Sequence, residues 1–184
     1  IGDLGAEALA EGLRASQGRI KALWLKRNRL GAAGLRALTS ALEASAGLRT
    51  LDLVSNDLGP EGLSILAPQL AKGAVSVLFL CGNRLGIEGA RMLGEILAQA
   101  PGIVALFAGG NEFGDEGARA LADGLRHNRT LRILGLSSNA IGPLGASSLA
   151  DALSDHPALV RLELGYLRAT TVHDLLEVVV NAVV

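Results

Sequence analysis

The chain has 184 residues, of which 49% are hydrophobic and only 3% aromatic, and its mean hydropathy is +0.38. Its 17 basic and 18 acidic residues give a net charge of −1, which offers no overall field to attract nucleic acid or an anionic membrane. No apolar run approaches the roughly 18 residues needed to cross a bilayer. We therefore expect a soluble, densely cored protein. The single cysteine excludes an internal disulfide, so we expect a reducing compartment, the cytoplasm.

The first predicted element is an amphipathic helix at the start of the chain. Gly5, Leu9 and Leu13 place small and apolar side chains on one helical face. The same spacing returns after each of five similar motifs downstream, so the chain opens in the middle of a repeating unit. Since it begins with Ile1 and not with methionine, we expect a cut end within a longer array.

Five copies of one motif follow, each with an asparagine after its alternating leucines. They read LWLKRNRLG (23–31), LDLVSNDLG (51–59), LFLCGNRLG (78–86), LFAGGNEFG (106–114) and LGLSSNAIG (134–142). The asparagines are spaced by 28, 27, 28 and 28 residues. Alternating leucines predict a strand buried on one face, and the apolar residues three or four apart that follow predict a helix. Each unit is therefore a strand followed by a helix.

The repeat pattern breaks down near the end of the chain. A further copy begins at Leu159, but Leu167 stands where the asparagine should be. Residues 166–184 keep one apolar helical face, and we interpret them as a divergent last helix or a C-terminal cap. We thus predict a single array over residues 1–184, with regular repeats over residues 1–165, as a fragment of a longer array.

The in-register leucine, asparagine and glycine columns resemble the leucine-rich repeat of the ribonuclease-inhibitor-like class. That class is also found in the sensor domains of NOD-like receptors and in related bacterial repeat proteins. The resemblance implies an α/β fold, a curved solenoid of about six and a half repeats of 27–29 residues. Parallel strands stack about 4.8 Å apart and helices need about 8–10 Å, so strands must line the concave face and helices the convex face.

The asparagine column is predicted to be structural. A side-chain amide at the turn after each strand can satisfy backbone groups that would otherwise be buried without a partner. The predicted ladder consists of Asn28, Asn56, Asn83, Asn111 and Asn139.

The strand side chains that point away from the core form a candidate binding surface on the concave face. Trp24, Phe79 and Phe107, three of the five aromatic residues, share one column across successive strands. Neighbouring columns add apolar residues in the middle, a basic corner (Lys21, Lys26, Arg27 and Arg29) at the first strand, and mixed charges at the last. The predicted partner-binding residues are Trp24, Lys26, Arg27, Asp52, Val54, Val77, Phe79, Cys81, Phe107, Ile133, Arg161, Glu163 and Tyr166. The alternative is that these side chains only pack along the sheet.

No arrangement of residues in the sequence points to catalysis, a cofactor or a metal ion. His127 and His156 lie near corresponding loop positions of adjacent repeats, but no cysteine or carboxylate accompanies them at the spacing of a metal site. Cys81 has no histidine or carboxylate beside it in the repeat, so we interpret it as a small apolar member of the concave surface. The Asn128-Arg129-Thr130 sequon is interpreted as a chance match, because no secretory signal accompanies it.

The sequence favours recognition of another protein through the concave surface, without enzymatic activity and without a nucleic-acid or membrane partner. The chain would serve as the sensor or scaffold part of a larger cytoplasmic protein, and nothing in the residues names the partner. Two alternatives stay open. The family that the chain resembles also includes the Ran GTPase-activating protein, which would make the chain a GTPase regulator. The array could instead be a structural spacer, or self-associate through its ends.

Overall fold

The computed structural model describes residues 1–43 and 47–165. Within them six helices alternate with six short strands, beginning with a helix as the repeat pattern predicts. The helices are α1 (Gly2–Ala15), α2 (Ala32–Glu43), α3 (Gly59–Ala71), α4 (Gly86–Gln99), α5 (Gly114–Leu125) and α6 (Pro143–Leu153). The strands are β1 (Ala22–Trp24), β2 (Thr50–Asp52), β3 (Val77–Phe79), β4 (Ala105–Phe107), β5 (Ile133–Gly135) and β6 (Arg161–Glu163). Tyr166 and the predicted last helix or cap at 166–184 lie outside the described residues.

The six strands form one open parallel sheet in the order of the chain. Equivalent residues of successive repeats face each other, so Leu23 pairs with Leu51 and Leu51 with Leu78. Each helix packs against the helix of the next repeat, which places all helices in a second layer. This arrangement confirms the predicted α/β leucine-rich repeat solenoid, in which the wider spacing of helices curves the stack towards its strands.

The core is a continuous layer of leucine and small side chains between the sheet and the helices. The central strand leucines Leu51, Leu78, Leu106 and Leu134 have at most 1% of their surface exposed. Phe113, which stands where the other turns have leucine or isoleucine, is the largest fully buried side chain of the described residues. Burial of such a side chain contributes about 1.5–3 kcal/mol, and here every repeat supplies several.

The asparagines join each turn to its neighbours through hydrogen bonds. Asn83 Nδ2 donates to the carbonyl oxygens of Leu53 and Leu80, both at 2.9 Å, and Asn83 Oδ1 accepts the Asn56 N–H at 2.9 Å. Asn56, Asn111 and Asn139 make the same donations in their own repeats. Asn28, in the first turn, is only half-buried. The ladder therefore ties backbone groups of successive repeats together.

Each turn also contains residues with left-handed backbone conformations at alternating positions. In the third motif, Gly82, Arg84 and Gly86 have φ angles of 66°, 53° and 59°. Glycine adopts this region at little cost, which explains the motif glycine. Gly142 differs, since its φ is −100° and its N–H donates to Asp115 Oδ1 at 2.7 Å. The structure thus contains two kinds of turn, of which the sequence motif indicated one.

Candidate protein-binding surface

Three aromatic rings form a continuous row on the concave surface. The ring centroids of Trp24 and Phe79 are 5.8 Å apart with planes inclined by 33°. Phe79 and Phe107 are stacked, with centroids 4.8 Å apart and planes inclined by 7°. We call these three side chains the aromatic row. Strand register places them in one column, and ring contact turns that column into a single apolar ridge.

Asp52 occupies the same column between Trp24 and Phe79 but does not reach the surface. The backbones of those two aromatic residues lie two strands apart, about 9–10 Å, so their rings lean towards each other across β2. Asp52 is only 6% exposed, and its Oδ1 accepts the Val54 N–H at 2.9 Å. The prediction that Asp52 contributes exposed surface is wrong, because the short carboxylate is buried and bonds to the backbone of its own turn.

Gly135 makes room for the far end of the aromatic row. A methyl group placed on Gly135 would lie 2.9 Å from Phe107 Cδ1, closer than carbon atoms approach without repulsion. The Phe107 ring therefore occupies the space in front of β5. Any larger residue at this position would push the ring back towards Phe79.

The rest of the predicted surface is half-buried and apolar in the middle and charged at both ends. Trp24 is the most open member of the aromatic row, with 63% of its surface exposed. Arg161 and Glu163 form an ion pair at the last described strand. The half-buried apolar members are Val54, Val77, Phe79, Cys81, Phe107 and Ile133. An apolar centre with a charged rim is the usual anatomy of a protein interface.

Cys81 lies in the apolar middle as a protonated thiol. Burial raises the pKa of the Cys81 thiol above its ordinary value, and the negative charges of Asp52 and Glu163 raise it further. A hydrogen bond with the backbone of Gly109 acts in the opposite direction but is a smaller effect than burial. Because the thiolate is the reactive form, these surroundings make Cys81 a poor nucleophile and a small apolar surface group.

The basic corner lies beside the free end of the aromatic row. Lys26, Arg27 and Arg29 are exposed and form no ion pair with any described residue. A polar depression adjoins them at the turns of the first three repeats. It is lined by Arg29, Leu30, Gly31, Ser55, Asn56, Asp57, Gly82 and Arg84.

The geometry of the repeats agrees with the relationships of this chain to known proteins. A family model for the leucine-rich repeat matches residues 47–67, 109–122 and 127–150. The chain is 33% identical to ribonuclease inhibitor of Sus scrofa over 54% of this chain and 28% of that protein. It is 46% identical to NACHT, LRR and PYD domains-containing protein 12 of Homo sapiens over 38% of this chain and 7% of that protein.

The chain is a leucine-rich repeat protein of the ribonuclease-inhibitor-like class. It spans less than a third of the length of these curated relatives. Among solved structures, actin-binding site 2 of leiomodin-1 superposes with a TM-score of 0.59 over 94% of this chain and 84% of that one, at 16% identity. The tropomodulin C-terminal domain of Caenorhabditis elegans gives 0.55 over 96% and 90%, at 14% identity. These two share the fold of this chain.

The loop between a helix and the next strand contains a structural side chain that the sequence analysis did not identify. Asn128 Oδ1 accepts the Leu131 N–H at 2.8 Å in the loop after α5. In the next repeat His156 takes its place, and His156 Nδ1 accepts the Leu159 N–H at 3.1 Å. Burial and the charge of Arg129 lower the pKa of the His156 imidazole, which favours the unprotonated acceptor. The two residues are 28 positions apart, which is one repeat length, and this spacing indicates that they are equivalent positions.

The Asn128 side chain has a structural role that conflicts with glycosylation. It is 2% exposed, and its Nδ2 donates to the Leu97 carbonyl oxygen at 2.7 Å. A glycan on that nitrogen would have to displace this bond and enter the core. The folded chain therefore does not present the sequon for modification.

The described residues hold no group of three His, Cys, Asp or Glu side chains arranged to bind a metal ion. His127 Nδ1 lies 3.0 Å from the Asp123 carbonyl oxygen, whereas His156 points into its own loop. Over the same residues, no helix has both the length and the apolar character required to cross a bilayer.

Proposed function

We propose that this array recognises another protein through its concave surface, as the sensor or scaffold part of a larger cytoplasmic protein. The observation that carries the proposal is the aromatic row, a ridge of three contacting rings on the open face of the sheet. Large aromatic side chains dominate the energetics of protein interfaces, particularly when their centre is apolar and well packed.

The surroundings of the aromatic row support a binding role over simple packing. With 63% of its surface exposed, Trp24 gains only part of the stabilisation that full burial of an indole would give. The half-buried valines and Cys81 extend the same apolar ridge across the sheet. A rigid platform of this kind loses little conformational entropy on binding, since its rings are already held by each other.

The test is a pull-down from cells with the 184-residue chain and with the W24A/F79A/F107A variant. We expect the partner to be retained by the unaltered chain and lost by the variant, because the variant lacks the apolar ridge. The matched control is L4A/I87A/L144A, which removes three exposed apolar side chains from the helical layer. A protein retained by all three chains would contradict the concave-surface proposal.

Two measurements make that comparison decisive. Circular dichroism must show that the variant keeps its helices, although loss of the ring contacts lowers stability by about 1–3 kcal/mol. Alkylation of Cys81 must slow down when the purified partner is added. The reaction is followed at a pH above the ordinary pKa of a thiol, because the pKa of Cys81 is raised. Equal rates with and without the partner would place binding elsewhere on the array.

The two alternative functions keep separate tests. A GTPase regulator would accelerate nucleotide hydrolysis when added to a loaded Ran-type GTPase, and an unchanged rate would remove that hypothesis. A self-assembling spacer would show scattering that rises with concentration and that disappears when the tail at residues 179–184 is capped.

A further inference from the structure

The basic corner is a cluster of positive charge without internal compensation. Lys26, Arg27 and Arg29 follow β1 and are all exposed. None of the ion pairs among the described residues includes them. Lys21, which comes directly before β1 and so lies at the other end of that strand, donates to the Gly18 carbonyl oxygen at 2.9 Å. The chain as a whole has a net charge of −1, but this region of its surface is positively charged.

The acidic groups nearest to this region are already engaged. Asp52 is buried and accepts the Val54 N–H. Asp57, which lines the polar depression, pairs with Arg84 at 3.0 Å. Asp3 accepts the N–H of Gly31, two residues after Arg29, at 2.8 Å. The basic corner therefore presents its charge to a partner.

The same corner carries the most open aromatic side chain. Trp24 is the last residue of β1, and Lys26 follows it by two residues in the turn after the strand. An apolar contact and a cationic contact thus lie within the reach of one short peptide segment. The polar depression, which Arg29 and Arg84 line, can hold an acidic side chain of the partner.

The stacking of the rings favours a protein partner over a single-stranded nucleic acid. Bases bind aromatic side chains face to face. Phe79 and Phe107 are stacked on each other and Trp24 leans against Phe79, so most ring faces are already in contact. The ring edges and the exposed part of Trp24, 63% of its surface, suit aliphatic or aromatic side chains.

We propose that the first-strand end of the concave surface binds an acidic protein segment. One of its apolar side chains lies on Trp24, and its carboxylates lie against Lys26, Arg27 and Arg29. This inference rests on the proposed function and adds the chemistry of the partner. Bidentate pairing with the two guanidinium groups gives such a segment orientation as well as attraction.

The probe is a fluorescein-labelled peptide of repeated Glu-Glu-Phe-Gly, compared with the same peptide containing lysine in place of glutamate. Fluorescence anisotropy with the 184-residue chain should show binding of the acidic peptide only. Binding should weaken as salt rises from about 50 to about 500 mM, because exposed charges are screened. The K26E/R29E variant should weaken it by about tenfold or more.

The charge-reversal variant is compatible with the fold. Glu112 already occupies the position equivalent to Arg29 in the fourth motif, with a φ of 63° where Arg29 has 48°. The matched control is R36E/R119E, which makes the same change in charge on exposed helical positions and should leave binding unchanged.

Equal affinity of K26E/R29E and R36E/R119E for the acidic peptide would overturn the inference, as would absence of binding to the unaltered chain. A single-stranded oligothymidylate that binds more tightly than the peptide, and is lost in K26E/R29E, would overturn it in favour of nucleic acid. If W24A/F79A/F107A loses a cellular partner that K26E/R29E keeps, the proposed function stands and the acidic partner is wrong.

Discussion

At the scale of single residues, the asparagine ladder shows how one polar side chain satisfies the backbone of two repeats. Asn83 is completely buried, and its amide contacts three backbone groups of two turns. A buried backbone group without a partner costs about 1–3 kcal/mol. The side chain is therefore far more valuable here than an exposed asparagine in a loop.

We expect N83A to lower the free energy of unfolding by about 3–5 kcal/mol, since it leaves those groups unsatisfied and opens a cavity. Urea denaturation followed by circular dichroism measures this. The control is N28A, whose half-buried amide donates to the Lys26 carbonyl oxygen at 3.2 Å and accepts from the exposed Ile1 amino group at 2.7 Å. Its cost should be about 1 kcal/mol or less, and equal costs would contradict the ladder account.

At the scale of elements, an aspartate in the first turn of one helix fixes the start of the next helix. Asp115 of α5 accepts the N–H groups of Gly142 and Gly145 at 2.7 and 2.8 Å. Asp3 of α1 makes the same contacts with Gly31 and Gly34 at 2.8 and 3.1 Å. These bonds satisfy amides that a helix start leaves without an intrahelical partner.

Removal of this carboxylate should loosen α6. D115A is expected to lower the free energy of unfolding by about 2–3 kcal/mol, since two hydrogen bonds to a charged acceptor are lost. E116A removes a charge from the same helical turn without such bonds and should cost about 0.5 kcal/mol. Hydrogen exchange localises the effect: protection of the Gly142 and Gly145 amides should fall in D115A only. Unchanged protection would contradict this role.

At the scale of the whole molecule, the sheet spacing is fixed by strand pairing, whereas the helix spacing depends on side-chain size. Gly94 of α4 and Gly124 of α5 let these helices approach closely. A methyl group on Gly124 would lie 2.1 Å from the Gly94 carbonyl oxygen. The distance between helices, and with it the local curvature around the aromatic row, is thus set by two glycines.

G124A should separate α4 from α5 and lower the midpoint of thermal unfolding, at a cost of about 1–3 kcal/mol. G12A is the matched control, because no atom lies within 4 Å of the added methyl on the exposed face of α1. Alanine there should stabilise the chain by about 0.5–1 kcal/mol. A midpoint that rises in both variants would contradict the close approach of the helices.

The candidate site was partly predictable from the sequence. The column of Trp24, Phe79 and Phe107 follows from the repeat register, because equivalent positions of a parallel solenoid must be neighbours. The burial of Asp52 does not, since the carboxylate folds back onto the Val54 N–H of its own turn. The repeat spacing identifies which residues are neighbours along a column. It does not indicate how deeply each of their side chains is buried.

The units, their order and the roles of leucine and asparagine follow from sequence periodicities of two, three to four and about 28 residues. Three contacts became visible only in the folded chain: Asp115 with Gly142, His156 in place of asparagine, and Gly94 against Gly124. Such contacts depend on the size and hydrogen-bonding capacity of two side chains in different repeats. A pattern that averages over the repeats therefore does not contain them.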